Sequence, residues 1–145
     1  DGLGGKRPLN HHVGVGEAGL QIAALAAQHA SKAEIDLLFD LLEQDKDGNG
    51  DALRHADLNR QFHQALYGAG HNRYLLKALN ALGDSLSLLK STTYEVSGRA
   101  TTARAQHVSI AEAIKKHDSD AAEKAARAHI ESAERARIQL LFGEQ

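Results

Sequence analysis

The sequence predicts an all-α fold, an antiparallel bundle of about six helices. Ala and Leu dominate the apolar residues, aromatic residues make up only 4% of the chain, and proline occurs once, at Pro8. Ala and Leu are the strongest helix formers, whereas the β-branched and aromatic residues that favour strands are scarce. No segment alternates between apolar and polar residues with the period of two that marks a strand. The 145 residues are the size of one domain.

The chain divides into an arm and a domain. Residues 1–16 are rich in glycine and lack apolar periodicity, so we expect a flexible arm or linker there. Residues 17–145 form the domain, and its helices are predicted from Glu17 to about Ala30, from Ser31 through Leu42, from Ala52 to Tyr67, from Arg73 through Leu89, from Arg99 to Lys116 and from Asp120 to Phe142.

Capping residues support several of these boundaries. Ser31 followed by Glu34 is a capping box at the start of the second helix. Asp120 with Glu123 is the equivalent pair for the sixth helix, and Gly143 is a suitable C-terminal stop.

Composition and charge exclude several classes of protein. The chain has no cysteine, which excludes disulfides, thiolate metal sites and a cysteine nucleophile. Its formal net charge of −2 argues against nucleic-acid binding by this chain, and no apolar run is long enough to span a membrane. Because it contains no methionine, we expect it to be a trimmed piece of a longer protein.

Two histidines are spaced to meet in a helical hairpin. His107 and His129 are 22 residues apart, and the turn between their helices lies near Asp118. Each histidine is therefore about 11 residues, or roughly 16 Å along a helix axis, from the turn. In an antiparallel hairpin the two imidazoles would lie at the same level.

A third histidine completes a candidate metal site. Asn59 and His63 on the third helix are four residues apart and therefore project from one face. Three imidazoles and an amide oxygen suit a divalent transition metal, Zn²⁺ or Ni²⁺. The alternative is three unrelated, half-buried histidines. The remaining histidines of the domain, at helix ends or turns, are expected to be solvated or to cap helices: His29, His55, His71 and His117.

Two other functions compete with this interpretation. Residues 45–56 resemble an EF-hand calcium loop, but its twelfth position holds Ala56 instead of the bidentate glutamate, so a polar interhelical loop is favoured. A three-histidine metal site could also activate water in an enzyme. We find no residue with an evident general-base role near the candidate ligands, so we expect no enzyme.

Two segments resemble a known family. NRQFH (59–63) with QALYGAGHN (64–72), and the stretch from Gln106 to Ile130, in which two histidines flank an aspartate at the turn, are similar to the signatures of the FCD domain. That domain is the C-terminal, effector-binding part of FadR-type GntR transcription regulators. The resemblance covers about residues 17–142.

The resemblance implies a helical bundle that encloses a metal and effector pocket. The ligands would be Asn59, His63, His107 and His129, with Asn59 at a position where many members have aspartate. The effector would be a small organic acid. Arg104, three residues before His107, is the stronger candidate for binding its carboxylate, and Arg99 near the start of the fifth helix is the weaker one.

The resemblance also indicates partners and location. We expect a cytoplasmic homodimer, with the first and fourth helices as candidates for the dimer face if they are not core. DNA would be bound only by an N-terminal winged helix-turn-helix domain that this chain does not contain, and no membrane would be involved.

Overall fold

The structure, a computed structural model, describes residues 11–46, 51–86, 94, 96 and 98–143, with only the backbone described for 11–15 and 83–86. The described residues form no strand and six helices: α1 His11–His29, α2 Lys32–Lys46, α3 Ala52–Ala69, α4 Arg73–Leu86, α5 Arg99–Lys115 and α6 Ser119–Phe142. The predicted all-α fold is therefore confirmed.

Helix α1 begins at His11, six residues before the predicted start at Glu17. Glycine is a weak helix former in isolation, which is why this stretch resembles a linker. In the fold, however, a β-carbon at Gly19 would lie 3.3 Å from Cδ1 of Ile130 on α6. Gly19, which lies within the predicted helix, thus lets α1 approach α6 closely. The rest of the predicted arm, residues 1–10, lies outside the described residues.

The helix caps confirm one prediction and correct another. Ser31 and Glu34 form the capping box: the Ser31 amide donates to Glu34 Oε1 at 2.8 Å, and the Glu34 amide donates to Ser31 Oγ at 3.1 Å. The prediction of Asp120 as the cap of α6 is wrong. Asp118 has the extended backbone of an N-cap and accepts from the Ala121 amide at 3.0 Å.

Helices α5 and α6 form an antiparallel hairpin through a tight turn in which His117 adopts a left-handed φ of 56°. Helix α1 packs along α6 and α2 packs against α3 and α5, so the core lies between these five helices. Its largest fully buried apolar side chains are Ile22, Leu38, Phe62, Ile110 and Ile114. None of the described helices combines the length and apolar character needed to cross a bilayer.

Candidate metal and effector site

Three histidines from three helices meet inside the bundle. His63 on α3, His107 on α5 and His129 on α6 each offer one ring nitrogen, and these three nitrogens lie within 4.8 Å of one another. The Nε2 atoms of His107 and His129 are 3.2 Å apart. The structure therefore brings together all three histidines that the spacing selects.

The local fold explains this convergence. His107 and His129 lie at one level because the turn of the α5–α6 hairpin falls midway between them. His63 reaches them from α3, whose preceding residue, Phe62, stacks on the His107 ring with centroids 4.5 Å apart. Phe62 is almost fully buried, so this stacking fixes the His107 ring against the core.

Burial keeps these imidazoles neutral. Desolvation, followed by the charge of Arg99, lowers the pKa of His63 to about 4. Desolvation, with His63 and Arg99, lowers the pKa of His129 to about 2. The pKa of His107 is also well below its usual value, first because of burial and then because of the two other histidines and Arg99. Neutral imidazoles at pH 7 have the free lone pairs that metal binding requires.

The distances suit a metal. Two nitrogens bound to one tetrahedral Zn²⁺ at about 2.0–2.1 Å are roughly 3.3 Å apart. The separation of the Nε2 atoms of His107 and His129, 3.2 Å, is close to this value. The three nitrogens, all within 4.8 Å of one another, therefore form a candidate site for one shared ion. Asn59, the fourth predicted ligand, is half-buried one turn before His63 on α3.

Gln106 holds the His129 ring in one orientation. Its Oε1 accepts a hydrogen bond from His129 Nδ1 at 2.8 Å. Because a carbonyl oxygen only accepts, Nδ1 carries the proton and Nε2 keeps its lone pair toward the other histidines. The sequence did not single out Gln106, since a glutamine beside a histidine on a helix has no distinctive pattern.

Arg99 is the charged group beside the three imidazoles. It is 6% exposed, and its Nη1 donates to Ser132 Oγ at 3.1 Å and to Gln106 Oε1 at 3.4 Å. Its buried Nε has no hydrogen-bond partner among the described residues. A buried guanidinium with a spare donor next to a candidate cation site favours an anion at this point.

The structure places the two candidate arginines, Arg99 and Arg104, in different surroundings. Arg104 donates its Nε to the carbonyl of Leu42 on α2 at 3.2 Å, whereas Arg99 affects the pKa of all three histidines. A helix turns about 100° per residue, which places these two side chains on opposite flanks of His107. Arg104 was the stronger candidate because it is closer to His107 in the sequence. Arg99, however, lies on the flank of α5 that faces α6.

His55 is not solvated, contrary to expectation. It is buried in the first turn of α3, and its Nδ1 lies 2.6 Å from Oδ1 of Asp45, which is also buried. The Tyr94 ring stacks on it, with centroids 5.9 Å apart. Asp45 was the first ligand of the alternative calcium loop. It lies in the last turn of α2 and pairs with His55, while Asp51 caps α3 by accepting from the Leu53 amide at 3.0 Å.

Two of the other histidines, at turns, contact neighbouring helices. His117 Nδ1 donates to the carbonyl of Ala27 on α1 at 2.9 Å, and His71 Nε2 lies 2.7 Å from Glu34 Oε1. His29, at the end of α1, is exposed as expected.

Comparison with known proteins identifies the family. The FCD domain model matches residues 19–132. The chain is 32% identical over 112 residues to the HTH-type transcriptional repressor NanR of Escherichia coli K12, an alignment that covers 74% of this chain and 41% of NanR. It is 28% identical over 108 residues to the HTH-type transcriptional regulator YdhC of Bacillus subtilis, covering 72% of this chain and 48% of YdhC.

The chain spans less than half the length of these two relatives. Both are regulators of transcription, which argues against the alternative of a metalloenzyme. The family model covers most of the domain, including all three histidines. The chain therefore belongs to the FCD domain family, the effector-sensing domains of GntR-type transcription regulators.

Proposed function

We propose that this domain senses a small organic acid through a divalent transition metal held by Asn59, His63, His107 and His129. The observation that carries the proposal is the convergence of three neutral imidazoles beside a buried arginine, Arg99. The imidazoles supply a metal site, and the arginine supplies the preference for a negatively charged ligand.

The donor set indicates Zn²⁺ or Ni²⁺, because imidazole nitrogens suit both and the chain offers no thiolate. Such an ion, when bound, supplies a positive centre that accepts carboxylate oxygens of the effector. Asn59 is neutral, so the protein ligands leave both positive charges of the ion uncompensated. This favours an anionic effector over a neutral one.

Arg99 binds the carboxylate group in this proposal. Its desolvated charge is costly without a partner, and its Nε has no partner among the described residues. An anion next to Nε would offset that cost and form a charge-assisted hydrogen bond. Arg104 is secondary, because its Nε is engaged by the Leu42 carbonyl.

The regulatory output lies outside this chain. We propose that effector binding shifts the population of arrangements open to an N-terminal DNA-binding domain in the whole protein, in the bacterial cytoplasm. A homodimer is part of this proposal. Much of the apolar face of α1 is buried within the monomer, at Ile22, Ala23 and Ala26, which leaves α4 as the stronger of the two candidate dimer helices.

Thermal shift of the Zn²⁺-loaded domain tests the proposal. A panel of hydroxy- and dicarboxylic acids is compared with the corresponding amides, which keep the shape but lack the charge. We expect one or more acids to raise the melting temperature and their amides not to do so. Arg99→Leu should abolish the shift, while Arg104→Leu should retain most of it. Equal responses to acids and amides would contradict an anionic effector.

A further inference from the structure

One side chain connects the three histidines to Arg99. Gln106 Oε1 accepts from His129 Nδ1 at 2.8 Å and from Arg99 Nη1 at 3.4 Å. The two donors come from the candidate metal ligand on α6 and from the candidate anion-binding residue on α5. Their shared acceptor is therefore a direct hydrogen-bonded connection between the two halves of the site.

We infer that Gln106 is a positioning residue that sets the metal affinity of the site and couples it to anion binding at Arg99. The inference rests on the proposed function. Residues that accept from the outer nitrogen of a metal-binding histidine fix its ring and make the coordinating nitrogen more basic. Gln106 is in this position relative to His129, whose Nε2 lies 3.2 Å from His107 Nε2.

The shared oxygen predicts the sign of the coupling. Two donors on one carbonyl oxygen compete for its electron density. An anion that draws the Arg99 guanidinium toward itself weakens the 3.4 Å hydrogen bond from Arg99 Nη1 to Gln106 Oε1. Gln106 Oε1 then accepts more strongly from His129 Nδ1. His129 Nε2 becomes a better donor to the metal. The anion therefore raises metal affinity, and the metal raises anion affinity by the same factor.

Titration of the metal-free domain with Co²⁺ tests the inference, since the visible absorption of bound Co²⁺ reports both affinity and coordination. We expect Gln106→Leu to weaken Co²⁺ binding by about 10- to 100-fold. Gln106→Glu keeps an acceptor oxygen at this position and adds a negative charge, so it should bind Co²⁺ several-fold more tightly than the parent domain. Acetate should raise Co²⁺ affinity in the parent domain and do so less in Gln106→Leu.

Gln64→Leu is the matched control. Like Gln106, Gln64 is adjacent in the sequence to a candidate ligand, here His63. It is exposed, however, and its Nε2 donates to Asn80 Oδ1 at 2.9 Å. This variant should bind Co²⁺ as the parent does.

The possible results distinguish a failure of this inference from a failure of the proposed function. Parental Co²⁺ affinity and spectrum in a folded Gln106→Leu variant would overturn the inference and leave the metal site standing. If that variant does not fold, Gln106→Glu decides, and a Co²⁺ affinity equal to or weaker than that of the parent overturns the inference. A parent domain that binds no Co²⁺ would overturn the proposed function as well.

Discussion

His107 Nε2 and His129 Nε2 lie 3.2 Å apart, although the two residues are 22 positions apart in the chain. The α5–α6 turn lies midway between them, so each helix carries its histidine the same distance from the turn. Their separation is close to that of two ligands on one tetrahedral ion. The hairpin thus places two of the candidate metal ligands at a ligand-like separation without an ion.

Acid should destabilise the metal-free domain because the desolvated histidines of the candidate site take up protons on unfolding. The folded-state pKa of His63 is about 4, below the ordinary value of 6.5. Its stabilising contribution is therefore complete above pH 6.5 and is lost as the pH falls from 6.5 toward 4. Urea denaturation across this range should show a smaller loss for His63→Gln than for the parent. His29→Gln, at an exposed position, should follow the parent. Identical pH profiles for the parent and both variants would contradict a lowered pKa of His63 in the folded domain.

Asn59→Asp should bind Zn²⁺ more tightly than the parent. A carboxylate is a stronger oxygen donor than an amide and compensates one charge of the ion. The same change should weaken anion binding, since the loaded site becomes less positive. Competition with a Zn²⁺ indicator measures the first effect and thermal shift with carboxylic acids the second. An unchanged acid response in the variant would remove the support for a charge-based role of Asn59.

Gly70→Ala should destabilise the fold by about 1–3 kcal/mol. A β-carbon at Gly70 would lie 2.7 Å from Cγ1 of the fully buried Ile22, so α1 or α3 would have to shift. Gly68→Ala is the control, because nothing lies within 4 Å of its β-carbon and the residue is helical. That change should stabilise by roughly 0.4–1 kcal/mol. Urea denaturation that ranks the two variants the other way would refute this packing.

Asp45→Ala should destabilise the fold by roughly 1–3 kcal/mol, because it leaves a buried nitrogen of His55 without its acceptor. The exposed Asp40→Ala on the same helix should have little effect. Neither variant should change the amount of transition metal bound, and Ca²⁺ should not stabilise the parent. Stabilisation by Ca²⁺ that disappears in Asp45→Ala would instead support the calcium loop.

The sequence predicted the helices and the convergence of the three histidines well because both depend on regular spacing. Helix periodicity set most helix bounds within a few residues, and the symmetric placement of His107 and His129 about the turn required no tertiary information. The Ser31–Glu34 capping box is similarly local, since its partners are three residues apart.

The remaining features depend on contacts between distant segments. The close approach of α1 to α6 at Gly19 depends on packing against Ile130, and the position of Arg99 beside the histidines depends on which flank of α5 faces α6. The His55–Asp45 pair joins two helices across a loop, part of which lies outside the described residues. Such pairings leave no periodic signal in the chain.

Metal content tests the central claim most directly. The untagged domain is incubated with Zn²⁺, freed of excess ion by gel filtration and analysed by elemental mass spectrometry beside His107→Ala and His29→Ala. We predict about one equivalent of zinc in the parent and in His29→Ala, and almost none in His107→Ala, because two imidazoles no longer hold the ion firmly. No bound metal in the parent, or the same amount in His107→Ala, would contradict the account and leave a helical bundle whose buried histidines serve only its packing.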